Sequence, residues 1–178
     1  GRFSATLFFF GRDLHSTLGT PMGLINSSVG GTPIESWIGA DAQRADPALK
    51  GFFAERKQDD ASFDAAAAKA AYERQLAAWP EKVKEAKAAG KPVPAKPRDP
   101  VELRERKGDI GGLFNGKIAP LIPFAIRGVI WYQGEANSNG FKPPFYAAQL
   151  KLLAGEWRRL WGHDFPIAWA QLPNYESN

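Results

Sequence analysis

Between Ser4 and Leu18 the apolar residues Leu7, Phe10, Leu14 and Leu18 recur at steps of three and four. That spacing predicts one amphipathic helix with a core-facing stripe, ended by Gly19-Thr20-Pro21, and it puts His15 among core positions as a structural residue. The short run Met22-Gly23-Leu24-Ile25 predicts a buried strand, followed by the small-residue loop Asn26–Pro33 that leads to Ile34–Trp37. The pattern then changes. From Asp41 to Lys107 the chain is rich in Ala, Lys, Glu, Arg and Pro, which predicts a helical and Pro-rich insertion over residues 41–110. Its helix carries Tyr72, Leu76, Trp79 and Val83 on one face, and Pro80 is expected to break or kink it unless it opens a second helix. The segment Lys91–Pro100 is too proline-dense for helix or central strand and reads as an extended arm.

Past Gly111-Gly112 the globular pattern returns with Leu113-Phe114-Asn115-Gly116 and a proline-interrupted apolar stretch, Ile118–Ile126. Gly128–Tyr132, β-branched and aromatic, predicts a strand. Tyr146, Leu150, Leu153, Trp157 and Leu160 follow a helical period that stops at Gly162, with Trp157 and Trp161 as core, and Phe165–Leu172 predicts a third strand. Strand, helix and strand in this order form a βαβ unit with a parallel pair and right-handed crossover, so the fold class is α/β.

The chain has 178 residues, 44% of them hydrophobic, enough for one domain with a real core. A net charge of +4 is too mild and too dispersed for nucleic-acid binding. Zero cysteines exclude disulfides, thiol nucleophiles and thiolate metal sites, and only His15 and His163 are available for imidazole chemistry. No apolar run approaches the roughly 20 residues of a membrane span. Residue 1 follows no initiator Met or signal-like segment, and the last strand lacks a following element, so a piece of a larger protein is expected.

In open parallel sheets ligands lie beyond the carboxyl ends of the strands. The loops there are Asn26, Ser28, Gly30 and Gly31 after the first expected strand; Gln133, Gly134, Glu135 and Asn137 after the second; and Gln171, Asn174 and Tyr175 after the third. Glycine N–H groups and Gln or Asn amides are the equipment of an oxyanion hole, whereas no Gly-x-Ser-x-Gly elbow is present. Each candidate has a plainer reading. Gly30-Gly31 also fits a tight turn, and Gln133 with Glu135 also fits a buried hydrogen-bonded pair, with Arg12 or Arg127 as the partner of the Glu. Trp37 and Tyr175 suit packing better than sugar stacking. Adjacency of His163 and Asp164 in a turn does not make a catalytic dyad. The lysine row Lys82, Lys84, Lys87 and Lys91 reads as a solvated face.

Four blocks carry a resemblance: Phe8-Phe9-Phe10-Gly11-Arg12-Asp13-Leu14-His15, the stretch Gly23–Trp37 with Gly30-Gly31-Thr32-Pro33-Ile34-Glu35-Ser36-Trp37, Leu113-Phe114-Asn115-Gly116, and Arg127–Asn137 with Trp131-Tyr132-Gln133-Gly134-Glu135. In content, order and spacing they resemble the sialate O-acetylesterase family of SGNH (GDSL-like) hydrolases, over nearly the whole chain outside the insertion. The resemblance implies a three-layer, flavodoxin-like parallel sheet, incomplete here. It also implies a cofactor-free esterase that removes O-acetyl groups from sugars through a Ser–His–Asp arrangement, with an acetylated carbohydrate as partner and a periplasmic or secreted location. In that family the serine block precedes the region matching residue 1 and the Asp-x-x-His pair follows the region matching residue 178, so this piece alone is expected to be inactive. Gly31, with Gly30 as alternate, and Gln133 match the oxyanion donors, while Glu135 and Asn137 are left for orienting roles and Asn174 for binding. Lys117 stands where the family usually has Met, a departure that touches packing. Rival readings are a carbohydrate-binding module without catalysis and an interaction scaffold that uses the insertion.

Overall fold

The computed structural model describes residues 3–107 and 109–173, apart from the side chains of 105–107. In chain order its main elements are helices α1 (Ala5–Leu18), α2 (Ala40–Ala45), α3 (Lys50–Ser62), α4 (Ala65–Ala88) and α5 (Pro100–Lys107), strand β1 (Val129–Trp131), helix α6 (Tyr146–Trp161) and strand β2 (Ile167–Trp169). β1 and β2 pair in parallel, Val129 beside Ile167 and Trp131 beside Trp169, with α6 as the crossover. The βαβ unit expected from periodicity is present. Gly162 ends α6 at φ 71°, a left-handed stop suited to glycine.

The core lies between this unit and the short helical turn Ile34–Trp37. Ile34, Trp37, Ile38, Ile118, Trp131, Leu153, Trp157, Phe165 and Ile167 form one buried cluster. Trp131 stands edge-on between Trp37 and Trp157, with ring centres 5.9 and 6.0 Å away, and the Trp157 indole N–H donates to the Trp37 carbonyl at 3.1 Å. Large apolar area and satisfied indole donors therefore pin the Ile34–Trp37 turn to the βαβ unit. Trp37 is a packing residue, buried to 5% exposure.

Several expectations need correction. Met22–Ile25 is not a strand: among the described residues no strand pairs with it, and instead Leu24 seats against Gly11 of α1, which has no side chain to oppose it. α1 forms as expected, capped by the Ser4 side chain, but its stripe is not core. Phe10 and Leu18 are exposed and Gly11 is its buried residue. His15 is exposed too, with Nδ1 2.8 Å from the Thr20 carbonyl.

Pro80 neither breaks α4 nor opens a new helix; it sits inside a 24-residue helix. It is exposed, and having no N–H it leaves the carbonyl four residues back, at Leu76, without its helical donor. The proline-rich segment has no helix or strand over residues 91–99 and touches α4, where the Trp79 indole donates to the Pro94 carbonyl at 2.9 Å. Arg104 of α5 closes the projection onto α3 through Asp59 and Asp60 at 2.6 and 2.5 Å, with its guanidinium 4.5 Å from the Phe63 ring centre.

The first part of the compositional insertion is built into the globular body. Gln43, Leu49 and Phe52 are fully buried, and Phe52 packs on Phe141 and Phe145. The chain returns beside its point of departure, where the Gly111 N–H donates to the Glu35 carbonyl at 3.0 Å.

Candidate active site

At its carboxyl end β1 runs through Tyr132, Gln133 and Gly134 into a short helical turn, Glu135–Asn137. A Cβ at Gly134 would lie 2.7 Å from Leu172 Cδ1, the movable end of a side chain that packs over the loop. Facing this loop is the Gly30-Gly31 turn. Gly31 has φ 70°, a conformation that costs other residues roughly 1–2 kcal/mol. Both glycines are exposed, and among the described residues neither N–H has a backbone acceptor.

A chain of hydrogen bonds joins the two loops. Gln133 Nε2 donates to the Thr32 carbonyl at 3.1 Å and to Asn137 Oδ1 at 2.7 Å. Asn137 Oδ1 also accepts from the Ile34 N–H at 2.9 Å, and Asn137 Nδ2 donates to Glu35 Oε2 at 2.8 Å. The second carboxylate oxygen, Glu35 Oε1, has Lys142 Nζ 2.9 Å away. Glu35 and Asn137 are 0% and 2% exposed; the buried carboxylate accepts one hydrogen bond, on Oε2, and meets the Lys142 charge at Oε1 as an ion pair without hydrogen-bond geometry. On the other side the Tyr146 hydroxyl donates to the Gln133 carbonyl at 2.6 Å, lies 3.1 Å from Gln133 Oε1, and accepts from the Trp131 indole at 3.4 Å. Burial pushes the Tyr146 phenol above its ordinary range; the Trp131 N–H opposes this and the Glu135 charge adds to it.

The loops carrying Gly31 and Gln133 are thus joined at Thr32 and Ile34, and Asn137 is the bolt between them. Glu135 is exposed; the buried carboxylate is Glu35, and its cation is Lys142 rather than Arg12 or Arg127. Arg12 contacts Asp13 instead, at 3.3 Å. Asn26 accepts from the Ser28 hydroxyl at 2.7 Å within their own exposed loop. Gln171 is exposed, while Asn174 and Tyr175 lie outside the described residues. The His163 ring is exposed, its two nitrogens each 3.1 Å from a backbone carbonyl, of Trp161 and of Ile126, and it makes no pair with Asp164. Among the described residues no three or more His, Asp or Glu side chains gather as a metal site.

Residues missed in the sequence are Glu35, Lys142 and, as a polar member, Tyr146. The available signal for Glu35 is a charge set inside Ile34-Glu35-Ser36-Trp37-Ile38, among three large apolar side chains of types that pack.

No family model matches the chain. It is 32% identical to sialate O-acetylesterase of Rattus norvegicus over 184 residues, 97% of this chain and 30% of the relative, and 30% identical to that of Homo sapiens over 155 residues, 87% of this chain and 21% of the relative. The mouse protein of the same name is 27% identical. The chain therefore spans less than a third of the length of these curated relatives. Among solved structures, a carbohydrate acetylesterase from Xanthomonas citri superposes with a TM-score of 0.57 at 24% identity, over 95% of this chain and 26% of that one, a likeness of fold. These matches, with the blocks at residues 8–15, 23–37, 113–116 and 127–137, support placing the chain in the sialate O-acetylesterase-like family.

Proposed function

We propose that residues 1–178 are part of a carboxylic ester hydrolase that removes O-acetyl groups from sialic acid or a related acetylated glycan by a serine mechanism, within a three-layer SGNH-type sheet. The serine and its Asp and His come from outside these residues. The serine oxygen attacks the acetyl carbonyl, the tetrahedral intermediate collapses with loss of the sugar hydroxyl, and water then hydrolyses the acetyl-serine. This chain supplies the grip on the oxyanion, through the Gly31 N–H, with Gly30 beside it, and the Gln133 amide.

The observation that supports this reading is the contact between the two loops, Gln133 Nε2 to the Thr32 carbonyl at 3.1 Å, next to Gly31. Both Gln133 amide hydrogens have protein acceptors, and the bond to Thr32 is the longer one. A developing oxyanion is a stronger acceptor than a peptide carbonyl, so that hydrogen transfers its bond to substrate while the 2.7 Å bond to Asn137 keeps the amide aimed. Each donor of this kind is worth about 3–4 kcal/mol in the transition state. Asn137 orients Gln133, and exposed Glu135 borders the entry for the sugar.

The test is hydrolysis of O-acetylated sialic acid by the full-length enzyme and by its Gln133→Ala variant. Activity in the parent and a loss of about 100-fold or more in kcat in the variant are expected. A parent that binds the sugar without releasing acetate supports the carbohydrate-binding alternative and overturns the hydrolase reading.

A further inference from the structure

Glu35 hydrogen-bonds neither Gly31 nor Gln133, yet it governs the residue that joins their loops. The Asn137 amide has two orientations of nearly the same shape. In the observed one Oδ1 accepts from two donors, Ile34 N–H and Gln133 Nε2, and Nδ2 faces the Glu35 carboxylate. Turned over, its NH₂ would oppose two N–H groups and its oxygen would oppose a carboxylate oxygen, all at a site with almost no solvent contact. A carboxylate carries no donor, so it admits one orientation only. We infer that Glu35 is a positioning residue of the hydrolase: it locks the Asn137 amide, and through it the Gln133 amide, with Lys142 holding the second carboxylate oxygen. The catalytic consequence rests on the reading of Gln133 given above; the lock itself does not.

The ion pair supports this role over a purely stabilising one. Replacing a buried charge pair by apolar groups is often neutral or favourable for stability, so orientation is the better account of why a charge stands here. Lys142 is the outer member, its side chain 26% exposed against 1% for Glu35.

The lock makes an uncommon prediction. In Glu35→Gln the substituted side chain has a single amide oxygen, and Lys142 claims it; its NH₂ then faces Asn137 Nδ2, donor against donor, and the Asn137 amide turns. Adding Lys142→Met frees that oxygen to accept from Asn137 and restores the original orientation. The experiment compares the full-length wild type, Glu35→Gln, Lys142→Met and the double variant by kcat, KM and Tm. Expected are a fall of about 100-fold in kcat for Glu35→Gln with KM within about twofold, a lowered Tm, and recovery of Tm and of at least about tenfold in kcat in the double variant. A double variant no better than Glu35→Gln in Tm or folding overturns the lock. Recovery of Tm without recovery of kcat overturns the positioning role and leaves Glu35 a packing residue. A wild type that releases no acetate overturns the hydrolase reading alone, because the Tm series still decides the lock.

Discussion

Tyr146 and Gln149 lie three residues apart on α6 and illustrate opposite uses of burial. The Tyr146 hydroxyl is partnered and steadies the Gln133 backbone. Its phenol sits above the ordinary range because burial disfavours the charged form, with Glu135 adding to this and Trp131 opposing it. A raised folded value means that its contribution is complete below the unfolded value of about pH 10 and is lost as pH rises through the folded one. Denaturant unfolding of the wild type should therefore weaken across that alkaline window, and Tyr146→Phe should lack this part of the slope; equal slopes would contradict the assignment. Gln149, by contrast, is fully buried with neither amide atom partnered. Gln149→Leu keeps much of the volume and removes that penalty, so a stabilisation of about 1–2 kcal/mol is expected by thermal melting. Single residues are the hardest level to read from sequence. The spacing blocks point to Gln133 and Asn137, but the cation that partners Glu35 is Lys142, far along the chain and beyond the reach of any local pattern, and so Glu135 is the acid that local reading pairs and buries.

Elements with their own period are legible. α6 carries its stripe and its glycine stop, and the β-branched run before it can only be a strand, so the βαβ unit follows from residues alone. Met22–Ile25 shows the limit: a short apolar run looks the same whether a neighbouring strand accepts its backbone or, as here, Leu24 merely caps Gly11. Alanine-rich composition likewise hides the buried Leu49 and Phe52 inside what looks like a solvated insertion. α4 itself buries no residue fully. It is held by the Trp79 to Pro94 bond and, at the base of the projection, by Arg104 on Asp59 and Asp60, exposed pairs worth about 1 kcal/mol at most. Excising residues 63–104 and rejoining the ends with a Gly-Ser linker should leave the melting of the globular body nearly unchanged by circular dichroism. A collapse of the cooperative transition would show that the projection holds the body together.

Across the whole molecule, apolar surface remains open. Phe8, Phe9 and Phe10 on α1, and Tyr132 and Trp169 at the strand ends, are about half or more exposed. Apolar surface on that scale drives association, so residues 1–178 expressed alone should bind a hydrophobic dye and self-associate in light scattering; a non-binding monomer would contradict this. No helix among the described residues is long and apolar enough to cross a membrane. A glycine turn and a glutamine loop are tied together through Asn137. The most direct test of the proposed oxyanion grip is the structure of the full-length protein after treatment with a phosphonate that mimics the tetrahedral intermediate. One phosphonyl oxygen is expected within about 3 Å of both the Gly31 nitrogen and Gln133 Nε2. That oxygen held elsewhere, with Gln133 still on the Thr32 carbonyl, would contradict the proposal.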